Sequence, residues 1–181
     1  MPFKSNDSPQ NYPPLIGFAA WSGTGKTTLL EQIIPAFREN GLRIAIIKHA
    51  HHDFDIDHDG KDSFRLRKAG AVDTIVASGK RWALIHENEI TDDEPDLWQL
   101  LDQLNFDSLD LILVEGFKHE SFPRIELYRT ALNKPLMYPQ DDKIIAIATD
   151  ANDKMPHKIK KMDINNPIEI VTFIKHYFSF S

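Results

Sequence analysis

Ser22-Gly23-Thr24-Gly25-Lys26-Thr27-Thr28 sets the architecture expected for this chain. The apolar run Leu15–Trp21 precedes this heptapeptide and is typical of a buried strand, while apolar residues at helical spacing follow it: Leu29, Leu30, Ile33, Ile34 and Phe37. A glycine-rich turn between a strand and a helix directs backbone N–H groups and the positive end of the helix dipole towards one point. The stretch therefore predicts a phosphate-binding loop; the alternative is a plain strand-to-helix turn.

The polar side chains of this loop suit a nucleoside triphosphate. In loops of this kind the lysine, here Lys26, reaches the β- and γ-phosphate oxygens, and the adjacent hydroxyl, here Thr27, ligates Mg2+. We therefore predict a nucleotide site made of Ser22, Gly23, Thr24, Gly25, Lys26, Thr27 and Thr28, with a nucleoside triphosphate and Mg2+ as its ligands.

Composition is typical of one globular domain. The chain has 181 residues, 41% of them hydrophobic, no cysteine and a formal charge of −6. We expect a single domain over 15–181 behind a flexible, proline-containing leader over 1–14. No apolar run approaches the roughly 20 residues that span a bilayer. We therefore expect a cytoplasmic protein without a membrane partner, and the acidic balance argues against nucleic acid as the main partner.

Strand and helix patterns alternate along the chain. After the first strand, continuous apolar runs predict core strands at Leu42–Lys48, Asp110–Gly116 and Lys143–Thr149. Two further segments, Asp73–Ser78 and Arg81–Glu87, predict a hairpin, and the alternation in Arg124–Arg129 is typical of a sheet-edge strand. The expected fold is therefore a three-layer α/β P-loop NTPase with a mostly parallel central sheet and an antiparallel extension.

Acidic residues that follow core strands are candidates for the chemistry, because ligands of open α/β sheets gather at the carboxyl ends of strands. Glu115 is predicted to hold Mg2+ or orient the attacking water, with capping of the Gly116 turn as the alternative. Asp53 is predicted to act near the γ-phosphate and Mg2+. Asp150 could accept hydrogen bonds from guanine, although the usual Asn-Lys-x-Asp signature is absent. The predicted catalytic residues are Asp53 and Glu115, and the predicted metal ligands are Thr27, Asp53 and Glu115.

The segment after the second strand is rich in metal-type ligands. His49, His51, His52 and His58 could bind zinc or nickel, but no spacing among them defines a geometry. Asp55, Asp57 and Asp59 imitate a calcium loop that lacks its final glutamate, so a solvated acidic loop is the better interpretation. The basic residues that follow indicate a solvated helix face, or a second anionic ligand: Lys61, Arg65, Arg67 and Lys68.

Five sequence blocks occur in order: Ala19-Ala20-Trp21-Ser22-Gly23-Thr24-Gly25-Lys26-Thr27-Thr28, Lys48-His49-x-His51-His52-Asp53, Gly60-Lys61-Asp62-Ser63, Arg67-Lys68-Ala69-Gly70-Ala71 and Val114-Glu115-Gly116-Phe117-Lys118. With these blocks the chain resembles the MobB family, the adapters of molybdopterin-guanine dinucleotide biosynthesis, from about Leu15 to Arg129 and more weakly beyond. The resemblance implies a GTP-binding P-loop protein with weak GTPase activity. It also implies a homodimer that works with MobA, the guanylyltransferase that joins GMP to molybdopterin, so a molybdopterin-related ligand is a further expectation.

Departures from general P-loop patterns qualify the expected activity. Ala20 replaces the first glycine, and Trp21 stands where relatives that activate by dimerising carry a lysine. Neither an arginine finger nor a water-orienting glutamine is identifiable, which predicts slow hydrolysis because such a finger is worth a factor of about 10³ to 10⁵. The alternatives are a small-molecule kinase, although no arginine cluster follows Glu115, and a GTP-dependent metal-insertion chaperone that would use the histidine segment.

Overall fold

The computed structural model describes residues 12–50, 54–88, 94–151 and 159–181. These residues divide into two compact units, one within Met1–His49 and Asp96–Ser181, the other within Ala50–Pro95. Each unit is a group of residues that mainly contact one another. This grouping does not test the prediction of one domain over 15–181, which stays a prediction. Most of the leader expected over 1–14 lies outside the described residues.

Eight strands and four α-helices form within the described ranges. The strands are β1 (Leu15–Ala20), β2 (Ile44–Lys48), β3 (Asp73–Ala77), β4 (Trp82–His86), β5 (Leu111–Glu115), β6 (Arg124–Tyr128), β7 (Ile144–Thr149) and β8 (Lys160–Asp163). The helices are α1 (Lys26–Glu39), α2 (Asp62–Lys68), α3 (Leu97–Leu101) and α4 (Pro167–Tyr177).

The larger unit is built on a six-stranded parallel sheet in the order β2-β5-β1-β6-β7-β8. Helices α1 and α4 pack on one face of this sheet, through Ile33 and Phe37 of α1 and Ile170 and Ile174 of α4, all fully buried. Helix α3 covers part of the other face with Leu97 and Leu101. The prediction of a mostly parallel, three-layer α/β fold with an antiparallel extension is confirmed.

The central strands are apolar because both of their faces are covered. Leu111, Ile112, Leu113 and Val114 of β5 are all buried, and they alternate between the two hydrophobic clusters on opposite faces of the sheet. Parallel strands that are buried on both sides read as continuous apolar runs. That pattern made β1, β5 and β7 predictable. The prediction of Leu42–Lys48 as a core strand is wrong about its position, because β2 is the edge strand beside β5 and its Ile46 is 48% exposed.

The interpretation of β6 as a sheet-edge strand is wrong, because β6 lies between β1 and β7. Its alternation arises from two buried charged residues, Arg124 and Glu126. Arg124 pairs with Asp141 at 3.1 Å, and Glu126 accepts hydrogen bonds from the amides of Met137 and Tyr138 at 2.7 and 2.9 Å. Charged residues can thus occupy an interior strand when loops supply their partners. The edge on this side is β8, which sequence patterning did not predict.

The smaller unit contains α2 and the antiparallel hairpin of β3 and β4. Arg67 of α2 is buried and pairs with Asp55, at 2.6 Å, and with Glu87. The interpretation of the basic residues as a solvated face is therefore wrong for Arg67, whose charge is compensated inside this unit, while Lys61, Arg65 and Lys68 are exposed. In the ranges covered by the structure, no helix is long and apolar enough to cross a membrane.

Candidate phosphate-binding site

The first four residues of the heptapeptide, Ser22 to Gly25, lie in the turn after β1, and its last three are the first residues of α1. Gly23 and Gly25 have φ angles of 82° and 93°, which a side chain would strain. Gly25 occupies the N-cap position of α1, where no side chain of the described residues forms a capping hydrogen bond, and the first turn of the helix holds no acidic residue. The N-terminal amides of this 14-residue helix are therefore left for another acceptor. An anion is the acceptor that such a helix end favours.

The hydroxyl side chains of the loop differ in exposure. Thr24 is buried, and its hydroxyl donates to the carbonyl of Trp21 at 2.7 Å, so it stabilises the turn. Ser22, Thr27 and Thr28 are exposed and accessible to a ligand.

Glu115 binds two lysines at the edge of the parallel sheet. The Nζ atom of Lys26 lies 3.1 Å from Glu115 Oε1, and the Nζ atom of Lys48 lies 3.5 Å from the same oxygen. The Glu115 side chain is 13% exposed, that of Lys26 23% and that of Lys48 58%. Two cations share one carboxylate, so this cluster carries a net positive charge next to the uncapped start of α1.

The turn after Glu115 is tightly packed. Gly116 has a φ of 92°, and a Cβ atom there would lie 2.6 Å from Cβ of His49. The His49 amide donates to the Glu115 carbonyl at 2.8 Å, and its ring lies 5.3 Å from the ring of Phe117. Glycine at this position allows the end of β2 to approach the end of β5. Asp53 lies outside the described residues, and its predicted role stays a prediction.

A segment that we call the strap, residues 129–138, runs beside the loop. Arg129 Nε donates to the Thr24 carbonyl at 3.1 Å, and Trp21 Nε1 donates to the Pro135 carbonyl at 2.9 Å. The amides of Met137 and Tyr138 anchor the far end of the strap on buried Glu126. The loop is thus held from the β6 side without a ligand.

Asp150 follows β7 and is bonded to the start of the strap. It accepts hydrogen bonds from the amide of Thr130 at 2.9 Å and from the hydroxyl of Thr130 at 3.1 Å. The Nη1 atom of Arg129 lies 3.5 Å from its Oδ2 atom. The Thr130 amide keeps the pKa of the Asp150 carboxyl below its usual value. The carboxylate is therefore ionised at neutral pH, as an acceptor for guanine would have to be. These bonds occupy part of its accepting capacity, and recognition of guanine by Asp150 stays a prediction.

Comparisons with known proteins agree on one family. The family described as "Molybdopterin guanine dinucleotide synthesis protein B" (MobB) matches residues 15–150. The molybdopterin-guanine dinucleotide biosynthesis adapter protein of Escherichia coli K12 is 48% identical over 162 residues, which cover 89% of this chain and 91% of that protein. The adapter protein of Haemophilus influenzae is 39% identical over 168 residues, or 92% of this chain and 90% of the relative.

The chain belongs to the MobB family. Solved MobB structures share the fold: one described as molybdopterin-guanine biosynthesis protein B superposes with a TM-score of 0.68 at 25% identity, covering 90% of this chain and 98% of the other. MobB of Bacillus subtilis superposes with a TM-score of 0.67 at 25% identity, covering 91% and 97%.

Sequence reasoning missed two basic residues at the MobB site. Lys48 ends β2 and contacts Glu115, while Arg129 follows β6 and holds the loop carbonyl of Thr24. Both stand at the carboxyl ends of parallel strands, the same position that identifies Glu115 as a candidate. Applying the same criterion to basic residues would have found them.

The histidine segment of this MobB chain is only partly described. His51 and His52 lie outside the described residues. Among the residues that the structure does describe, no three His, Asp or Glu side chains are grouped so that they could hold a metal ion. The zinc or nickel interpretation therefore gains no support from the rest of the segment.

Proposed function

We propose that this chain is a GTP-binding adapter of molybdopterin-guanine dinucleotide biosynthesis with slow Mg2+-dependent GTP hydrolysis. The observation that carries the proposal is the Lys26–Glu115 pair of 3.1 Å beside an uncapped helix N-terminus. A cation, an acid and open amides at one sheet edge are the groups needed to bind a phosphate chain with its metal. The similarity to the adapter proteins of Escherichia coli and Haemophilus influenzae, at 48% and 39% identity, supports the adapter role.

The residues of the loop suit a triphosphate. A Cβ atom at Gly23 or Gly25 would meet its nearest neighbour only at 3.9 or 4.0 Å, without a clash, so glycine is needed at both positions for the φ angle and not for lack of space. In the proposed complex, the amides of Gly23 and Gly25 bind phosphate oxygens. Lys26 leaves Glu115 to neutralise the β- and γ-phosphates.

The donor set also suits magnesium, which prefers oxygen ligands. Thr27 offers an exposed hydroxyl and Glu115 a carboxylate next to the loop, and we propose Asp53 as a third contributor. When bound, Mg2+ neutralises charge that develops on the phosphates. We propose that neither an arginine nor a glutamine acts on the attacking water, and we therefore expect slow GTP hydrolysis.

We propose that Asp150 binds the guanine base, because it is the ionised carboxylate at the end of β7, on the side of β1 opposite to Glu115. Its bonds to Thr130 hold the carboxylate in position. We further propose that the chain acts as a homodimer alongside a MobA-type guanylyltransferase, in the cytoplasm where GTP is present. The kinase and metal-chaperone alternatives have no supporting contact in the described part of the chain.

Replacement of Lys26 by alanine tests the site. We expect Lys26→Ala to weaken GTP binding by at least roughly tenfold, because a charge-assisted contact to phosphate is lost. Titration calorimetry of the full chain with GTP, GDP and ATP in the presence of Mg2+ measures this effect, with Lys160→Ala on edge strand β8 as the matched control. Unchanged GTP affinity in Lys26→Ala would remove the proposed site.

A further inference from the structure

Lys48 is a basic residue at this sheet edge to which the proposed function assigns no role. It is the last residue of β2 and stands in register with Glu115 of β5. Its Nζ lies 3.5 Å from Glu115 Oε1, the same atom that Lys26 contacts at 3.1 Å. Because the Lys48 side chain is 58% exposed, its ammonium can leave this pair without opening the core.

The order of the strands gives the direction in which a bound nucleotide would lie. Asp150 follows β7, on one side of β1, whereas Glu115 ends β5, on the other side. If the base lies towards Asp150 and the phosphates lie over the start of α1, the terminal phosphate points towards β5. The next strand in that direction is β2, so Lys48 stands beyond the phosphate chain at its terminal end.

The charges of the cluster favour a strongly anionic group at this point. Two ammonium groups share the single carboxylate of Glu115, so one positive charge is left without a compensating partner within the cluster. When Glu115 turns to a metal ion or to water, both lysines become available. A lysine ammonium is a compact charge with three donors on a flexible stem, which suits a terminal phosphate that carries up to two negative charges.

We propose that Lys48 is a second phosphate-binding lysine, which contacts the terminal phosphate of GTP and so makes the site distinguish GTP from GDP. This inference rests on the proposed function. Lys26 contacts the β-phosphate, which both nucleotides have, as well as the γ-phosphate, whereas Lys48 contacts only the terminal phosphate that GDP lacks.

The test compares the affinities for GTP and GDP, measured by titration calorimetry with Mg2+ on the full chain. The variants are Lys48→Met, which keeps the length of the stem but not the charge, and Lys48→Arg, which keeps the charge. We expect Lys48→Met to weaken GTP binding by roughly tenfold and to leave GDP binding within about twofold, because one charge-assisted contact is lost. Lys48→Arg should retain most of the GTP affinity, and Lys160→Met on β8 is the matched control.

The outcomes separate this inference from the proposed function. If the unmodified chain binds neither nucleotide, the proposed function fails and the inference fails with it. If the chain binds GTP and Lys26→Ala abolishes binding, but Lys48→Met retains GTP affinity or loses GTP and GDP equally, only the inference is overturned. Thermal unfolding shows whether Lys48→Met is folded; if it is not, Lys48→Gln takes its place and the same two results decide.

Discussion

Gly116 has no Cβ atom, and the close approach of the ends of β2 and β5 depends on this. Its φ of 92° costs any other residue roughly 1–2 kcal/mol. A Cβ atom would also lie 2.6 Å from Cβ of His49, an atom that the backbone fixes. We expect Gly116→Ala to lower the free energy of unfolding by roughly 1–3 kcal/mol beyond the backbone cost, because overpacking adds that much. Urea denaturation measures the change.

Gly41 supplies the control for this prediction. It has a similar φ of 78°, but no described heavy atom lies within 4 Å of a Cβ placed there. Gly41→Ala should therefore show the backbone cost alone. If Gly116→Ala and Gly41→Ala lowered the free energy of unfolding equally, a steric role for Gly116 would be contradicted.

At the scale of elements, the starts of β2 and β5 are joined by Arg43 and Asp110. The Arg43 amide and Nε donate to Asp110 Oδ2 at 2.8 and 2.9 Å, and a terminal guanidinium nitrogen donates to Oδ1 at 3.0 Å. This tie lies at the opposite end of the strands from Lys48 and Glu115, and all five residues of β2 pair in register with β5. It therefore supports the alignment that brings Lys48 opposite Glu115.

The pH dependence of stability tests this tie. Hydrogen bonds from the Arg43 side chain and amide lower the pKa of Asp110 to about 2, whereas an unfolded aspartate titrates near a pKa of about 3.9. The ionised form is favoured in the folded state, so the contribution is present above the unfolded pKa and is lost as pH falls towards 2. We expect the difference in unfolding free energy between the unmodified chain and Asp110→Asn to be constant from about pH 7 to 5 and to shrink below about pH 4.

Chemical denaturation at several pH values measures this difference. The other carboxylates contribute equally to the unfolding free energy of both proteins, so their contributions cancel. Arg43→Met should reproduce the pH profile of Asp110→Asn, because it removes the other partner. A difference that stays constant down to about pH 2.5 would show that the tie does not lower the pKa of Asp110.

At the scale of the whole molecule, the hairpin of β3 and β4 presents an apolar face to solvent. Ile75 pairs with Leu84, and Trp82 follows on the same face; their exposures are 67%, 37% and 67%. A two-stranded sheet is marginally stable by itself, and contiguous exposed apolar residues indicate an interaction surface. If the proposed homodimer forms, this face is where we expect the second copy of the chain to pack.

Charge substitution on this face tests the homodimer. We expect Ile75→Lys to convert a dimer into a monomer, because a lysine ammonium is costly to bury without a partner. Sedimentation velocity or light scattering of the full chain measures the mass. Ile168→Lys on α4, where the isoleucine is 62% exposed and so similar to Ile75, should leave the dimer intact. A monomeric unmodified chain, or a dimeric Ile75→Lys, would exclude this surface as the interface.

Local hydrophobic patterns predicted most of the fold. They failed where a strand residue is paired with a residue that is distant in the sequence. Continuous apolar runs identified β1, β5 and β7, because strands buried on both faces need no polar residue. The same pattern located β2 but not its place at the sheet edge, where Ile46 is 48% exposed. The four-residue strand β8, Lys160–Asp163, has no such run and was missed. Strand β6 was placed at an edge because Arg124 and Glu126 look solvated in sequence, whereas Asp141 and the strap satisfy both charges in the interior.

The sequence by itself determined the glycine-rich loop between β1 and α1, the alternation of strands and helices, and the family. These features depend on glycine spacing and hydrophobic period, which are local properties of a chain. Only the tertiary structure decided that Lys26 and Lys48 share one oxygen of Glu115, and that Arg129 holds the carbonyl of Thr24. Such contacts depend on the order in which parallel strands pair, and residues far apart along the chain meet only when the sheet has formed.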